Sequence, residues 1–204
     1  MAFVFESPTR RIVGCDPGPE HCAFAAISVD GGSISVDALA YPSNREIRRA
    51  RVWNEFVDGC LMDGCFGEFP RLPDSPCLVF EKCGTQGVAP GQLTFETCMM
   101  AGEIRHIAHP EIPVYAFTPG DWRYVVTGRA GANDSIIRSV LLDILPEHDI
   151  LVKKFSKEAR VKYGLAKGIT SHLRDALGTA LAIGMLRYRR GLGADMFKGV
   201  PDAR

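Results

Sequence analysis

Four side chains far apart in the chain carry the groups best suited to metal chemistry: Asp16, Glu81, His172 and Asp175. The first two each end a short apolar run, and the last two lie three residues apart at the start of an amphipathic segment. Acids at the carboxyl ends of neighbouring strands could converge with a His/Asp pair on one helical face. Such a cluster of hard ligands suits Mg²⁺ or Mn²⁺.

Two such ions a few ångströms apart are a general device for hydrolysing phosphodiesters. Asp16 would bridge both ions, and Glu81, a charge at the end of an apolar strand, would need a cation partner. Both residues also have a structural alternative. Asp16 could be a turn aspartate before Pro-Gly, and Glu81 could form an ion pair with an Arg or a Lys. Asp175 could simply compensate a helix dipole. His172 could be a capping residue, a metal ligand or a residue that positions the attacking water.

Apolar periodicity and turn residues predict the elements that must position these side chains. Apolar or alternating runs indicate five strands, at residues 11–16, 22–29, 33–40, 77–81 and 113–117. Capping residues, proline and a helical repeat indicate helices at about 43–62, 92–109, 119–128, 133–145 and 171–189. Glycine-rich loops flank the fourth strand on both sides.

Three strands joined by tight turns, followed by strands that alternate with helices, predict an α/β fold. Its mixed five-stranded sheet would have an antiparallel edge and helices on its faces. If the first and fourth strands are parallel neighbours, Asp16 and Glu81 lie side by side where ligands gather in open α/β sheets. We expect a single domain over residues 1–204, with its core at about 11–190 and a basic insertion at about 147–170.

The composition fits one globular domain in a reducing compartment. The chain has 204 residues, 46% of them hydrophobic, which is enough for a sizeable core. No stretch of about 18 apolar residues predicts a membrane span. The seven cysteines form no close-spaced framework, which favours free thiols and a cytoplasmic location, in a bacterium or a phage-infected host.

The formal net charge is zero, but the charges are unevenly distributed. Residues 151–174 hold seven Lys or Arg against one acid, and a second basic cluster spans residues 45–51. Such a run can be an ordinary solvated surface. The first run leads directly into His172 and Asp175, and this position favours a surface that faces phosphates.

Four segments together resemble the RuvC-type Holliday-junction resolvases of the ribonuclease H-like superfamily, especially phage and prophage members. They are Ile12-Val13-Gly14-Cys15-Asp16-Pro17-Gly18, Val79-Phe80-Glu81, the stretch 115–128 with its Thr-Pro and Trp-Arg-Tyr, and His172-Leu173-Arg174-Asp175-Ala176-Leu177. The similarity runs in matching order from about residue 11 to residue 188. Each segment alone is weak, whereas four in order are fairly specific.

The resemblance implies a ribonuclease H-like fold and a structure-selective, metal-dependent endonuclease acting on four-way DNA junctions. Two Mg²⁺ or Mn²⁺ ions per active site would be held by the catalytic set named above. Paired symmetric nicks would leave 5′-phosphate and 3′-hydroxyl ends. Because such a junction is approximately two-fold symmetric and each chain has one site, a homodimer is implied as well.

Basic residues near the implied site are the candidates for DNA contacts. They are Lys82, Arg123, Lys162, Lys167 and Arg174. Arg123 matches a basic position of the family, Lys82 follows the second strand-ending acid, and the others belong to the basic stretch. Trp122 and Tyr124 are predicted to pack rather than to stack on bases.

The chain also departs from the family pattern. Many relatives have a lysine where this chain has Asn133-Asp134-Ser135, so the basic stretch would have to supply that phosphate contact. Relatives with an aromatic residue just after the strand-ending glutamate use it to open the junction, and residues 82–87 contain none. The apolar positions of the helix at 92–109 could pair two chains or pack on the chain's own sheet.

Three other functions compete with junction resolution. A nuclease of the same fold could act on other branched DNA or on RNA–DNA hybrids. An actin-like small-molecule kinase or ATPase could use Asp16-Pro17-Gly18 as a phosphate-binding turn, although the chain is short for a duplicated domain and lacks a second glycine-rich motif. A non-catalytic DNA-binding relative is disfavoured because the acidic set is complete.

Overall fold

The structure is a computed structural model, and it describes residues 10–30, 33–49, 77–83, 90–108, 112–144 and 170–192. These ranges contain the five strands and parts of all five helices that the sequence predicts. Residues 50–62 of the helix expected at 43–62 and the basic insertion at 147–170 lie outside the described residues, apart from Thr170 at the start of the last helix. Within the described ranges, no helix combines the length and the apolar character needed to cross a membrane.

The strands form one mixed sheet in the order β3-β2-β1-β4-β5. Their bounds are β1 Arg10–Asp16, β2 Ala23–Asp30, β3 Ser33–Ala40, β4 Cys77–Glu81 and β5 Val114–Phe117. The first three pair antiparallel, whereas β4 is parallel to both β1 and β5. The predicted mixed five-stranded sheet with an antiparallel edge is confirmed.

The central strands β1 and β4 are buried because their residues are apolar on both faces, as helix-covered parallel strands require. In their register Cys15 lies opposite Phe80, so Asp16 and Glu81 follow at the next position of each strand. The two acids therefore leave the buried sheet at the same edge. This is the adjacency that the sequence predicted.

Helices cover both faces of the sheet. Their bounds are α1 Asn44–Arg49, α2 Gln92–Ile107, α3 Pro119–Thr127, α4 Asp134–Ile144 and α5 Thr170–Leu192. Residues of α3, α4 and α5 share one core cluster with β1 and β2, and residues of α1 and α2 contribute to the cluster on the opposite face. The site lies at the carboxyl edge between these layers.

Helix α5 packs directly on β1, and a glycine permits this close approach. A Cβ atom at Gly14 would overlap the carbonyl group of Ala176. At Gly178, on the same helix, a Cβ would overlap the ring of Trp122. Because Gly14 and Gly178 have no side chains, α5 can pack closely against both β1 and α3. This packing places the first turn of α5 at the end of β1.

Candidate active site

The carboxyl ends of β1 and β4 open into a cleft of about 470 Å³. Asp16 and Glu81 both line it, together with Lys82, Cys83 and the start of α3. Helix α3 begins there in a fixed position because Thr118 and Asp121 form a reciprocal capping box. Two of the predicted site residues thus share one cavity.

His172, in the first turn of α5, contacts the same aspartate. Its Nδ1–H donates to Oδ2 of Asp16 at 2.6 Å. This hydrogen bond raises the pKa of His172, since the carboxylate stabilises the imidazolium, while burial opposes the shift. The bond joins two residues separated by 156 positions in the chain.

Glu81 is held by an interaction that the sequence did not predict. The indole Nε1–H of Trp122 donates to its Oε2 at 2.9 Å. Burial, and then the negative charges of Asp16 and Asp175, raise the pKa of Glu81 to about 7, against smaller opposing effects of Trp122 and Arg123. The glutamate is therefore an acid whose charge is costly unless a cation compensates it.

Asp175, one turn after His172, is also a destabilised acid. Burial raises its pKa to about 6; Arg174 and Arg123 act against the shift and Asp16 adds to it. The nearest cationic atoms, Arg123 Nη2 and Arg174 Nε, are each 3.8 Å from its Oδ1, beyond hydrogen-bonding distance. That buried oxygen has no hydrogen-bond partner among the described residues.

These observations test whether the residues fit the expected divalent ions. In the described part of the chain, no three His, Cys, Asp or Glu side chains are placed to hold one common ion. The charge of Asp16 nevertheless contributes to the raised pKa values of both Glu81 and Asp175, and a buried oxygen of Asp175 lacks a hydrogen-bond donor among the described residues. These donor types suit Mg²⁺ or Mn²⁺, and metal binding by all four residues stays a prediction.

The predicted DNA contacts separate into three groups. Lys82 is exposed beside the cleft, and Arg123 is partly buried, with its guanidinium 5.3 Å from the centre of the Trp122 ring. Lys162 and Lys167 lie outside the described residues. Arg174 was placed wrongly on a phosphate-facing surface, because its side chain is only 3% exposed and its Nη2 donates to Asp134 Oδ2 at 2.8 Å.

An aromatic stack beside His172 was also missed. The His21 and Tyr41 rings stack with their centres 5.1 Å apart, and Tyr41 in turn lies 6.2 Å from the His172 ring. Trp122 is fully buried, which confirms that it packs, whereas Tyr124 is 45% exposed and its packing role stays a prediction. No sequence motif joins residues so far apart, so only the aromatic residue types themselves offered a signal.

Helix α2 presents apolar residues on two sides. Met100 and Ile104 are fully buried on the sheet, whereas Leu93, Phe95 and Met99 are 58–64% exposed. The sequence left self-burial and pairing between chains open as alternatives. Part of the apolar surface is buried within the chain, and a separate exposed part is available to a partner.

The sheet order, the parallel pairing of β1 with β4 and the acids at their ends define the ribonuclease H-like class of α/β fold. Among solved structures, the chain is similar to Thermus thermophilus RuvC in complex with a Holliday junction substrate, with a TM-score of 0.58 and 18% sequence identity. The alignment covers 89% of this chain and 96% of that one.

Two further structures extend the comparison. Another Thermus thermophilus RuvC structure gives the same TM-score and coverage at 17% identity. The yeast mitochondrial Holliday junction resolvase Ydc2 gives a TM-score of 0.51 at 10% identity, covering 95% of this chain and 87% of that one. No family model and no curated protein sequence matches the chain. The chain therefore has the ribonuclease H-like fold of the RuvC-type resolvases.

Proposed function

We propose that this chain is a metal-dependent endonuclease that resolves four-way DNA junctions by paired symmetric nicks. The observation that carries the proposal is the meeting of Asp16, Glu81, His172 and Asp175 at one edge of a ribonuclease H-like sheet. The solved structures with this fold include resolvases, one of them in complex with a Holliday junction substrate. The similarity to these resolvases and the acidic site of this chain therefore both support a four-way DNA junction as the substrate.

In the proposed reaction, Asp16, Glu81 and Asp175 would hold two divalent ions. Bound Mg²⁺ or Mn²⁺ supplies Lewis-acid activation of a water molecule and stabilises the leaving 3′ oxygen. In its neutral form, His172 donates Nδ1–H to Asp16 and has Nε2 available to accept a hydrogen bond from the attacking water. The products carry 5′-phosphate and 3′-hydroxyl ends.

Cationic side chains around the acids suit a DNA backbone. Lys82 is exposed at the edge of the cleft beside Glu81. The Nη2 atom of Arg123 is 3.8 Å from Oδ1 of Asp175, where this guanidinium would balance negative charge from both the protein and a phosphate. We assign both to backbone contacts near the cut.

Paired cuts require two sites related by two-fold symmetry. One site per chain makes a C2 dimer the simplest arrangement. Because a C2 interface joins the same patch on both subunits, an exposed apolar strip can cover itself. The strip formed by Phe95 and Met99, one turn apart on α2, has this character, and we propose it as the dimer contact.

The test is a cleavage assay with a synthetic four-way junction whose strands are labelled in pairs. We expect Mg²⁺-dependent nicks at symmetry-related positions in two strands, sealable by ligase. A replication fork, a linear duplex and an RNA–DNA hybrid of matched sequence are assayed in parallel. Equal or faster cleavage of the fork or hybrid would favour the other branched-DNA or hybrid nucleases of this fold. ATP hydrolysis without any cleavage would overturn the nuclease assignment.

A further inference from the structure

A network of alternating charges joins three helices beside Asp175. Arg174 of α5 donates from Nη2 to Oδ2 of Asp134, at the start of α4, over 2.8 Å. Arg123 of α3 has its Nη2 4.0 Å from Oδ1 of Asp134 and 3.8 Å from Oδ1 of Asp175. Two guanidinium groups and two carboxylates therefore surround one another at the border of the site.

Arg174 forms a hydrogen bond with Asp134 but none with Asp175. Its guanidinium is buried, and a buried cation requires a close anionic partner. Asp134 supplies that partner, whereas the Nε of Arg174 stops 3.8 Å short of Asp175 and has no hydrogen-bond partner among the described residues. The attraction between Arg174 and Asp175 persists at this distance, but no hydrogen bond occupies the carboxylate oxygen.

We propose that Asp134 and Arg174 form a charge clamp that positions Asp175 and keeps its Oδ1 available to a divalent cation. While Asp134 holds the guanidinium of Arg174 in place, this guanidinium attracts Asp175 towards a fixed position. Released from Asp134, it would bond Asp175 directly, in the bidentate manner that Arg and carboxylates favour, and compete with the cation. Arg174 is thus a positioning residue, and the inference rests on the proposed metal-dependent function.

The experiment measures Mg²⁺ binding without relying on activity. Thermal unfolding of the full chain is followed across a Mg²⁺ titration, where a bound ion raises the Tm. Asp134→Ala should raise the Mg²⁺ concentration at the midpoint of this titration about tenfold, which is within the range that outer-shell changes produce. Asp134→Asn, which keeps a hydrogen-bond acceptor, should shift it less. Asp143→Ala, at an exposed aspartate of the same helix, should leave it unchanged.

The cleavage assay separates positioning from a merely structural role. The Asp134→Ala variant should recover most of its rate at saturating Mg²⁺, because the clamp affects metal affinity rather than the chemical step. A rate that stays low at saturating Mg²⁺, with an unchanged titration midpoint, would overturn the clamp. Since the Asp134 side chain is 55% exposed, its replacement opens no cavity in the core, but it leaves the buried Arg174 without its close partner. The midpoint of the Mg²⁺ titration is therefore compared between variants, not the absolute Tm.

Junction binding in EDTA distinguishes the clamp from a DNA contact of Arg174. Arg174→Met should bind a four-way junction with unchanged affinity and an unchanged salt dependence, as should the control Arg105→Met at an exposed arginine of α2. A DNA contact would lower the slope of log K against log salt by about one, and this result would overturn the clamp. Should Arg174→Met not fold, Arg174→Lys takes its place in the same comparison.

The Tm response to Mg²⁺ separates a failure of the proposed metal-dependent function from a failure of the clamp. If Mg²⁺ and Mn²⁺ leave the Tm of the wild-type chain unchanged, the proposed metal-dependent function fails and the clamp fails with it. If the wild-type Tm rises and Asp134→Ala responds at the same Mg²⁺ concentration, only the clamp is wrong.

Discussion

Glu81 ends a buried strand with a carboxylate that lies beside two other acids. Its pKa is raised to about 7 because burial and the charges of Asp16 and Asp175 all disfavour ionisation. Asp175 shows the same behaviour, with a pKa of about 6. Groups perturbed in this way are typical of functional sites, because a stable fold alone gains nothing from crowding like charges.

Removing either acid at the strand ends should abolish cleavage without abolishing binding. Asp16→Asn and Glu81→Gln keep the shape of the side chains but remove the negative charge that holds a divalent ion. We expect each to lower the cleavage rate by at least about 100-fold, beyond the roughly 10–100-fold effect of outer-shell residues. Gel-shift titration with a four-way junction should give a near wild-type Kd. Asp143→Asn is the matched control, and near wild-type cleavage by either site variant would refute the assignment.

Glu81 should also make the stability of the metal-free protein depend on pH. Its pKa is higher in the folded state, so its contribution to stability is fully present below about pH 4.5 and is lost as the pH rises through about 7. Urea unfolding in EDTA should therefore show a fall in the free energy of unfolding between pH 5 and 8 that is smaller in Glu81→Gln. Parallel profiles for the two proteins would contradict the raised pKa.

The Tyr41 ring should support His172. Tyr41→Phe retains the stack, whereas Tyr41→Ala removes the surface against which His172 rests. An aromatic pair contributes about 0.5–1.5 kcal/mol, so the alanine variant should cleave roughly 2–10-fold more slowly at saturating Mg²⁺. The phenylalanine variant serves as the control. Equal rates for all three proteins would show that the stack has no role in positioning.

At the scale of elements, the site depends on how closely α5 approaches β1. Gly14 lies directly under the helix, and its lack of a side chain allows contact with the backbone at Ala176. The same packing sets the positions of His172 and Asp175 relative to Asp16. A helix displaced outward would separate the acids even if every one of them were retained.

Gly14→Ala should therefore damage both stability and activity. Because the added Cβ would overlap a carbonyl group rather than a flexible side chain, we expect a loss of about 1–3 kcal/mol or more in urea unfolding. Cleavage at saturating Mg²⁺ should fall as well. Gly102→Ala, in α2, meets no atom within 4 Å and should be neutral or slightly stabilising. A fully stable and active Gly14→Ala variant would disprove the close packing.

At the scale of the whole molecule, the proposed paired cuts require two sites, and we propose that each chain supplies one. The exposed strip of α2 is the surface that we assign to pairing, since Phe95 and Met99 both face solvent in the single chain. Its opposite side contributes Met100 and Ile104 to the core. The same helix would then link the core of each subunit to the dimer interface.

Charged substitutions in this strip should separate the subunits. Phe95→Glu, at a residue 58% exposed, should leave the fold intact but change the mass measured by light scattering from dimer to monomer. The monomer should nick one strand at a time, so that paired cuts in a single junction become rare. Tyr124→Glu, at an exposed aromatic residue on α3, is the control. A dimer that persists in Phe95→Glu would place the interface elsewhere.

The sequence by itself determined the strands, their alternation with helices and the positions of the strand-ending acids. Continuous apolar runs that end in Asp16 and Glu81 mark buried parallel strands, and the three-residue spacing of His172 and Asp175 marks one face of a helix. These are short-range signals, carried by the periodicity of local structure. They sufficed to predict a mixed sheet with an antiparallel edge, whereas its ribonuclease H-like class followed from the resemblance of four segments. The meeting of Asp16 and Glu81 depended on the parallel pairing of β1 with β4, which the structure shows.

Only the tertiary structure decided which of these residues bond to one another. Arg174 was expected at the surface because it ends a basic stretch, yet it is buried against Asp134, 40 positions earlier. Trp122 bonds Glu81 across 41 positions, and Tyr41 stacks on a histidine far along the chain. Such contacts depend on how separate helices dock onto one sheet, and this long-range packing leaves no periodic trace in the sequence.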